Sequence, residues 1–586
     1  MQVQYLIKGG QVVDGTGAPP YLADVRVHNG SIAEIEPGIQ PAARERVIDA
    51  AGCYVTPGFI ESHNHYDGHM WWVPTMDPLP DYGVTTSVNG NCGFSAAPVH
   101  KDAAVRKEMI DIFTFFEDIP DRPFLQVLPW NWRKWSEYKA SMQRNVKLPV
   151  NFAAYVGHIA IRLTVMGLEA WDRAATAEEI RSMCALLEDA LGAGALGLSS
   201  NLLDHDSKNR PIPSMLADDA EWTALMDVVA RYPGRTIQLV VDHLMRMTGL
   251  ASVERIGKLA EGRGLRILFL GSIPTLEFQA PLFEATQAQH ADFKARGLDY
   301  WTQYHHVSPT TMVSFLSSLV FAQSNNYVWH EIVTAATEQE KLTLLASPEW
   351  RARARISWEQ TFDQSPMKYP TELILRDSET GFGPEEITLE EYRAMKQIDH
   401  CSDALAEWLL DNGIRSNLFM KSWKVHEDSI LDLARDPRAL GNVSDSGAHG
   451  KMFCGAGDNV LLLTKYVRDR KLLKIEEAVH VLTGQPAEFF GLNDRGVLAV
   501  RKRADIAVFN LAEIERRKDQ KVWDVPDGEG GRTFRYTRAP APMRLTLVNG
   551  VATFDKGAYT GTFPGQYIGP TAEPITQTSV QIARSA

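Results

Sequence analysis

Apolar residues recur along the chain in two spacings, and the spacing changes twice. Residues 1 to about 56 hold short runs in which apolar and polar positions alternate, separated by turns such as Asn29-Gly30, as is typical of antiparallel β-strands. The same alternation of apolar and polar positions returns at 504–510 and 545–554. We therefore expect both chain ends to form one discontinuous β-sandwich.

Between these ends, from about 57 to 490, strand-like apolar runs alternate with helical patterns, which favours parallel strands connected by helices. One predicted helix spans 176–192 and begins with Thr176-Ala177-Glu178-Glu179, a capping-box pattern. Eight strands are the number that a (β/α)₈ barrel requires. The predicted strands are 56–62, 85–89, 151–156, 196–199, 236–241, 266–270, 299–303 and 439–444.

The sequence thus predicts an α/β chain with a (β/α)₈ TIM barrel and a separate β-sandwich. The barrel occupies 57–490 and carries an insertion at about 307–438, in which 346–358 and 389–396 have helical patterns. The sandwich combines 1–56 with 491–555. The remaining tail, 556–586, is rich in Gly, Pro, Thr and Gln, and we expect an extended or partly disordered arm.

Composition narrows the classes of partner. The chain has 586 residues, 44% of them hydrophobic and 23% charged, with a formal net charge of −13; this predicts a globular, soluble protein that binds a small molecule, not nucleic acid or an anionic membrane. Five cysteines without paired spacing indicate a reducing cytoplasm. We see no secretion signal and no run of about 18 apolar residues, so neither export nor membrane insertion is expected. Whether the protein forms a homo-oligomer stays open.

His63 and His65 lie at the end of the first predicted barrel strand. Because alternate side chains of a strand point the same way, both imidazoles project to one side and Asn64 to the other. Two imidazoles so placed can hold one metal ion. On this motif alone, a chance pair at a solvated strand end is an equal alternative.

Other residues with ligand chemistry follow further predicted strands. Cys92 comes after the second strand, His158 after the third, His243 after the fifth and Asp445 after the eighth. The carboxyl ends of barrel strands converge on one face, where the catalytic groups of such barrels lie. His, Cys and Asp gathered there have the ligand chemistry of Zn²⁺.

Several sequence motifs carry a resemblance to a known family. They are Val55-Thr56-Pro57-Gly58-Phe59-Ile60-Glu61-Ser62-His63-Asn64-His65, Gly83-Val84-Thr85-Thr86, Gly90-Asn91-Cys92-Gly93, Val156-Gly157-His158, Val165-Met166-Gly167, Gly194-Ala195-Leu196-Gly197-Leu198-Ser199-Ser200, Ser444-Asp445, Leu492-Asn493-Asp494-Arg495-Gly496, Ala504-Asp505-Ile506 and Val548-Asn549-Gly550. With these motifs the chain resembles the amidohydrolase superfamily, and within it the N-acyl-D-amino-acid deacylases, over nearly its whole length.

The resemblance implies that a metal-activated hydroxide attacks an amide carbonyl, with His63 and His65 as metal ligands. Cys92 matches a cysteine ligand that the deacylases use where many relatives have a carboxylated lysine; the alternative is a small buried cysteine. Asp445 matches the aspartate that approaches the metal and carries the proton; the alternative is a helix N-cap.

The sequence departs from the deacylases after the sixth strand, where 267–274 contain no histidine. His243 is predicted as a metal ligand, with a substrate contact, a proton carrier and a structural role as alternatives. One Zn²⁺ held by His63, His65, Asp445 and Cys92, or two Zn²⁺ ions, are both allowed.

The predicted substrate contacts also depart from the family. His158 is predicted to position the substrate, or else to be a hydrogen-bonded barrel histidine. Tyr304 and His306 stand where the deacylases have a Tyr-Pro-Tyr run, and Lys451 stands where an arginine would hold the carboxylate of an amino acid.

The predicted function is zinc-dependent hydrolysis of the amide bond of an N-acylated small molecule, with N-acyl-D-amino acids as leading substrates. A cyclic amide, a lactone or another non-standard substrate is the enzymatic alternative. An inactive barrel that only binds ligands is the alternative from another class.

Overall fold

The structure, a computed structural model, describes residues 3–208, 210–241, 249–272, 280–307, 311–316, 328–361, 373–420 and 425–570. The architecture is mixed α/β, as the sequence predicts. His243 lies outside the described residues.

Both ends of the chain contribute to one nine-stranded sheet. The two ends meet where Tyr54–Pro57 pairs antiparallel with Ile506–Phe509. One hydrophobic core includes Val25 and Val55 from the first part and Leu547 from the second, so the two parts of the predicted β unit fold together. The strands are Gln4–Val12, Tyr21–His28, Ser31–Glu36, Glu45–Asp49, Tyr54–Pro57, Ile506–Phe509, Met543–Val548, Val551–Asp555 and Ala558–Tyr559.

Eight further strands pair side by side in parallel, and the eighth pairs with the first, so that they form a ring. Three of them are interrupted by a short break. We call this set the strand ring; in chain order its strands are Phe59–Glu61 with His63–Asn64, Val84–Asn89, Asn151–Ala154 with Val156–Gly157, Gly197–Asn201, Thr236–Val240, Arg266–Ser272, Asp299–Tyr304, and Ala439–Leu440 with Val443–Ser446. Each lies on one of the eight strands predicted from the sequence.

Apolar side chains from different strands of the ring form one buried cluster. Its members are Ile60, Val88, Ala153, Tyr155, Leu196, Leu268, Trp301 and Leu440, with Ala487, Phe489, Phe490 and Leu492 from the segment that follows the ring. Because Trp301 belongs to this cluster, alternation places Gln303 and His305 on the same side of the seventh strand and Tyr304 on the opposite side. Tyr304 packs against Leu433 and Ala439.

Helices connect the ring strands. The predicted helix at 176–192 is observed as Ala177–Gly192, and Thr176 and Glu179 form its capping box. The helices are Tyr66–His69, Ala103–Glu117, Asp121–Val127, Trp135–Asn145, His158–Met166, Ala177–Gly192, Asp219–Ala230, Gly249–Ala260, Ala280–Ala295, Glu427–Arg435, the π-helix Leu462–Asp469, Ile475–Leu482 and Gly484–Phe489, with 3₁₀ turns Pro80–Tyr82, Gly167–Trp171 and Pro213–Leu216.

The long interval between the seventh and eighth ring strands has its own hydrophobic core, which includes Trp329, Trp350 and Trp408. This interval lies within the insertion predicted at about 307–438, and it also holds a three-stranded antiparallel sheet. Its strands are Thr311–Ser314, Ile374–Arg376 and Asn417–Met420, and its helices are His330–Thr334, Glu338–Ala346, Pro348–Thr361, Leu389–Met395 and Cys401–Asn412.

Two later segments pack against the ring. The hairpin Asp519–Pro526 and Arg532–Arg538 is fixed by Arg538, whose Nη1 donates to Asp458 Oδ1 at 2.8 Å. In the tail, the Ile568 amide donates to the Phe152 carbonyl at 2.9 Å. The described part of the predicted arm is therefore docked on the third ring strand.

Among the described residues, no helix combines the length and apolarity needed to cross a bilayer. The domain limits, the oligomeric state and the cytoplasmic location stay predictions.

Candidate metal centre

His63 and His65 lie at the carboxyl end of the first ring strand and are fully buried. Gln303 Nε2 donates to the Ser62 carbonyl and hydroxyl oxygens, so its Oε1 faces His63 Nδ1 at 3.0 Å. His63 Nδ1–H therefore donates to Gln303, and the lone pair on Nε2 is available to a metal. Sequence reasoning missed Gln303, although its place two residues after the inward-facing Trp301 could have revealed it.

Cys92 lies in the turn after the second ring strand, and its backbone N–H donates to Gln238 Oε1 of the fifth strand at 2.9 Å. Its sulfur is 3.2 Å from His63 Nε2 and 3.8 Å from His65 Nε2. The structure thus brings together the three ligands predicted after strands one and two.

Asp445 ends the eighth ring strand, which pairs with the first through His63 and Asn64. Its Oδ1 is 3.2 Å from His65 Nε2 and 3.8 Å from His63 Nε2. The Asp445 side chain is 22% exposed, whereas both imidazoles are inaccessible, so solvent reaches Asp445 but not His63 or His65.

His63, His65 and Cys92 bring donor atoms that suit zinc within 4.8 Å of one another, and the Asp445 carboxylate adjoins both imidazoles. Zn–N and Zn–S bonds of about 2.0–2.3 Å at tetrahedral angles place neighbouring donor atoms about 3.3–3.6 Å apart. The four separations among Cys92, His63, His65 and Asp445 given above run from 3.2 to 3.8 Å. Two nitrogens, one sulfur and one carboxylate oxygen are also donors that zinc accepts.

Two residues that sequence reasoning missed adjoin this donor set. Glu117 Oε2 is 3.5 Å from His65 Nε2 and 3.6 Å from His449 Nε2, and His449 Nε2 is 3.4 Å from Asp445 Oδ2. In the sequence, Glu117 is the last residue of a helix and does not follow a ring strand, so a search of strand ends could not find it. His449 stands four residues after Asp445, within the segment where the sequence reasoning selected Lys451.

Several residues of the centre have left-handed backbone conformations. Cys92, Asp445 and His449 have φ of 56°, 56° and 52°, and Asp118, which follows Glu117, has φ of 49°. Such values are uncommon for residues other than glycine, and they concentrate at functional sites where the surrounding structure enforces them. In this centre these conformations direct the side chains of Cys92, Asp445 and His449 toward one point.

The electrostatics of the metal-free centre favour a cation. Burial lowers the pKa of His63 to about 3. Burial opposes protonation of His65 too, but the carboxylates of Glu117 and Asp445 outweigh it and raise the pKa of His65 to about 9. Burial, together with the charges of Glu117 and Asp445, raises the pKa of the Cys92 thiol. A bound divalent cation would lower the pKa of His65 and of the Cys92 thiol, because it stabilises thiolate and neutral imidazole.

His158 lies in a separate, fully buried cluster. Its Nδ1 is 2.9 Å from Ser200 Oγ and its Nε2 is 2.7 Å from Glu221 Oε1. Glu221 also forms a buried ion pair with Arg162. Both ring nitrogens are thus occupied, which favours the structural alternative; the substrate role stays a prediction.

The other predicted substrate residues lie apart from the donors. Tyr304 points to the outer side of the ring, and His306 Nε2–H donates to the Asp458 carbonyl at 2.9 Å. The Lys451 backbone N–H donates to Asp118 Oδ2 at 3.1 Å. His305 instead interacts electrostatically with Asp445 and His63, and burial lowers the pKa of His305. At the end of the seventh strand, His305 therefore interacts with the metal donors. It lies between Tyr304 and His306, the two residues predicted as substrate contacts.

Curated relatives match over nearly the whole chain. An uncharacterized protein of Mycobacterium tuberculosis is 28% identical, covering 96% of this chain and 93% of that protein. The N-acyl-D-glutamate deacylase of Alcaligenes xylosoxydans xylosoxydans is 26% identical, covering 94% of both. The D-aminoacylase of the same organism is 26% identical, covering 97% of this chain and 98% of that enzyme.

Solved structures share the fold. D-aminoacylase superposes with a TM-score of 0.63 at 23% identity, covering 96% of this chain and 99% of that one. The N-acyl-D-glutamate deacylase of Bordetella bronchiseptica, in complex with zinc and a phosphonate inhibitor, gives 0.64 at 23% identity, covering 97% and 100%. The model of the Amidohydrolase family matches residues 46–554, which is most of the sequence. The chain therefore belongs to the Amidohydrolase family.

Proposed function

We propose that this protein is a zinc-dependent hydrolase that cleaves the amide bond of N-acyl-D-amino acids. The observation that carries the proposal is the group of His63, His65 and Cys92, whose ligand atoms lie within 4.8 Å of one another, with the partly exposed Asp445 carboxylate 3.2 Å from His65 Nε2. We also interpret the strand ring as a (β/α)₈ barrel, because eight parallel strands pair in sequence and helices lie between them.

A zinc ion held by these donors supplies Lewis acidity, which polarises a carbonyl and lowers the pKa of water toward about 7. The chain supplies the rest. Gln303 holds His63 in the tautomer that presents Nε2. Asp445, which solvent reaches, accepts a proton on a carboxylate oxygen and returns it to the departing amide nitrogen.

Relatives support the substrate class. The curated relatives include an N-acyl-D-glutamate deacylase, an N-acyl-D-aspartate deacylase and a D-aminoacylase, each 25–26% identical over at least 94% of this chain. These three share an N-acyl-D-amino acid as substrate by name. The identity is too low to carry over the side chain that is preferred, so the proposal stops at the class.

A hydrolysis screen on zinc-loaded protein tests the proposal. N-acetyl-D-amino acids with apolar, acidic and basic side chains are compared with their L-enantiomers, with a cyclic amide and with a lactone. We expect release of free D-amino acid, loss of activity on chelation and recovery on zinc addition. Hydrolysis confined to the cyclic amide or the lactone would replace the substrate class, and a zinc-loaded protein inert toward every compound would leave only ligand binding.

A further inference from the structure

The first and eighth ring strands pair irregularly beside the metal centre. The Ser62 N–H donates to the Asn442 carbonyl at 3.0 Å, and the His65 N–H donates to the Ser446 carbonyl at 2.7 Å. Between these two hydrogen bonds the first strand advances by three residues and the eighth by four, and the pairing shifts register after Val443. The extra residue of the eighth strand makes a β-bulge, a feature that redirects a side chain next to many active sites.

Asp445 lies inside this bulge. Its φ of 56° is in the left-handed region, which residues other than glycine rarely adopt. In this conformation Asp445 Oδ1 is 3.2 Å from His65 Nε2. Because such a conformation persists only where its surroundings enforce it, contacts of neighbouring residues have to hold the bulge.

Asn64, the residue between the two candidate histidine ligands, makes such contacts. Its Oδ1 accepts from the Ser446 N–H at 3.1 Å and lies 2.7 Å from the Ser444 hydroxyl oxygen, so one oxygen contacts the residues on both sides of Asp445. Because a backbone N–H can only donate, the bond from Ser446 also fixes which end of the Asn64 amide is the oxygen. Asn64 is fully buried, which shields these contacts from solvent.

The other polar groups of Asn64 join the bulge to the second ring strand. Its Nδ2 donates to Ser87 Oγ at 2.9 Å. Its carbonyl accepts from Asn91 Nδ2 at 3.1 Å, and Asn91 immediately precedes Cys92. One buried residue thus connects the first strand, the turn that carries Cys92 and the bulge of the eighth strand.

We propose that Asn64 is the positioning residue of Asp445: by holding the bulge, its side chain keeps the Asp445 carboxylate beside His63 and His65. Asn64 touches no reacting atom, since alternation directs its side chain to the opposite side of the strand from the two imidazoles. The effect on the reaction rests on the proposed function, in which Asp445 carries the proton. The effect on the position of Asp445 does not.

Crystal structures of the wild type and of Asn64→Ala, each with and without zinc, test the position of Asp445 without an assay of activity. We expect Asp445 to leave the left-handed region in the variant. Its Oδ1 should then lie farther from His65 Nε2 than the 3.2 Å of the wild type. Elemental analysis should find the zinc content unchanged, because His63, His65 and Cys92 remain.

Asn151→Ala is the matched control. Asn151 is also a fully buried asparagine of a ring strand, and its Nδ2 donates to the Thr85 carbonyl at 3.1 Å. It makes no printed contact with the eighth strand, so its removal should leave the bulge and kcat unchanged. Circular dichroism shows whether each variant folds.

A double-mutant cycle tests whether Asn64 acts on the reaction through Asp445. With a substrate identified by the hydrolysis screen, Asn64→Ala should lower kcat by about 10–100-fold, the usual effect of losing an outer partner, with little change in KM. In the Asp445→Asn background the same substitution should change kcat by less than about twofold, because the residue that Asn64 positions no longer carries the proton.

Three results would overturn the inference. The first is an Asp445 that stays 3.2 Å from His65 in the crystal structure of Asn64→Ala. The second is a kcat that does not fall in this variant, or that falls as much in the Asp445→Asn background. The third is loss of zinc from folded Asn64→Ala, which would assign Asn64 to the support of the metal ligands instead.

If Asn64→Ala does not fold, Ser444→Ala takes its place. This variant removes the hydroxyl beside Asn64 Oδ1 and leaves the first strand intact. A smaller shift of Asp445 in the same direction is expected, and the same three results decide. A protein that hydrolyses none of the screened compounds would refute the proposed function, while the crystal structures would still decide whether Asn64 positions Asp445.

Discussion

Two buried histidine clusters lie at ring strand ends, and they differ in how their polar atoms are matched. In the His158 cluster, Ser200 and Glu221 occupy both ring nitrogens, and Arg162 balances the charge of Glu221. In the metal centre, His63, His65 and His449 face Cys92, Glu117 and Asp445 with their Nε2 atoms at 3.2–3.8 Å.

The difference teaches how to separate a structural histidine from a ligand. A cluster whose donors and acceptors match, and whose charges cancel, stabilises the fold by itself. A cluster with an excess of lone pairs and negative charge is completed by protons or by a metal cation. Sequence position does not separate the two clusters, because His63 and His158 both lie at the end of a ring strand.

The largest expected effect is that of removing a candidate zinc ligand. His63→Asn should lose the zinc ion and lower kcat/KM by about 10⁴-fold, since the ion contributes several kcal/mol of transition-state stabilisation. Elemental analysis and steady-state kinetics measure both effects. His158→Asn is the comparison variant and should keep its zinc; equal metal loss in the two variants would erase the distinction between the clusters.

Asp445→Asn separates proton transfer from metal binding. The amide keeps an oxygen donor but cannot carry the proton, so kcat should fall by about 10²–10⁴-fold while the ion bound by His63, His65 and Cys92 remains. Metal content and kcat are measured on one preparation. Nearly full activity with retained zinc would show that another group carries the proton.

Glu221→Ala tests the balanced cluster. It leaves Arg162 buried without its partner, so the free energy of unfolding should fall by about 3–5 kcal/mol, as measured by urea denaturation. Zinc content per folded molecule should not change, because no contact of Glu221 given above reaches the metal donors. Loss of zinc from the folded variant would mean that the clusters are coupled.

Gln303→Leu removes the group that orients His63. The affinity for zinc should fall by about 10–100-fold, the usual effect of losing an outer partner of a ligand. Competition with a chromophoric chelator measures the affinity, and circular dichroism checks the fold. Unchanged affinity would show that His63 does not depend on this hydrogen bond.

The smallest expected effect, counted per proton and per pH unit, is that of pH. In metal-free protein the pKa of His65 is raised to about 9, so His65 carries a proton at pH 7 that a metal must displace. Metal binding therefore releases protons from His65 and from the Cys92 thiol, and the affinity should increase with pH by up to about tenfold per proton released and pH unit, with the contribution of His65 ending near pH 9. The same chelator competition between pH 6.5 and 9 checks the sign; an affinity that decreases with pH would contradict it.

Periodicity was sufficient to predict the ring strands, because each is a buried apolar run flanked by helical patterns. The candidate ligands at strand ends followed from the resemblance. Glu117 could not be predicted, since its position depends on how a helix after the second strand docks on the turn after the eighth. Tyr304 and His306 stay predicted substrate contacts, and the sequence reasoning did not use the alternation that places Gln303 and His305 on the inner side.

The nine-stranded sheet and the strand ring both depend on pairings between residues that the ribosome makes early and residues that it makes late. Tyr54–Pro57 pairs with Ile506–Phe509, and His63 pairs with Val443. Neither structure can close until the ribosome has made more than 440 residues of the chain. Pairings this distant slow folding and leave apolar strand edges exposed in the nascent chain. We therefore expect chaperone dependence to end only when the last strands of the sheet emerge.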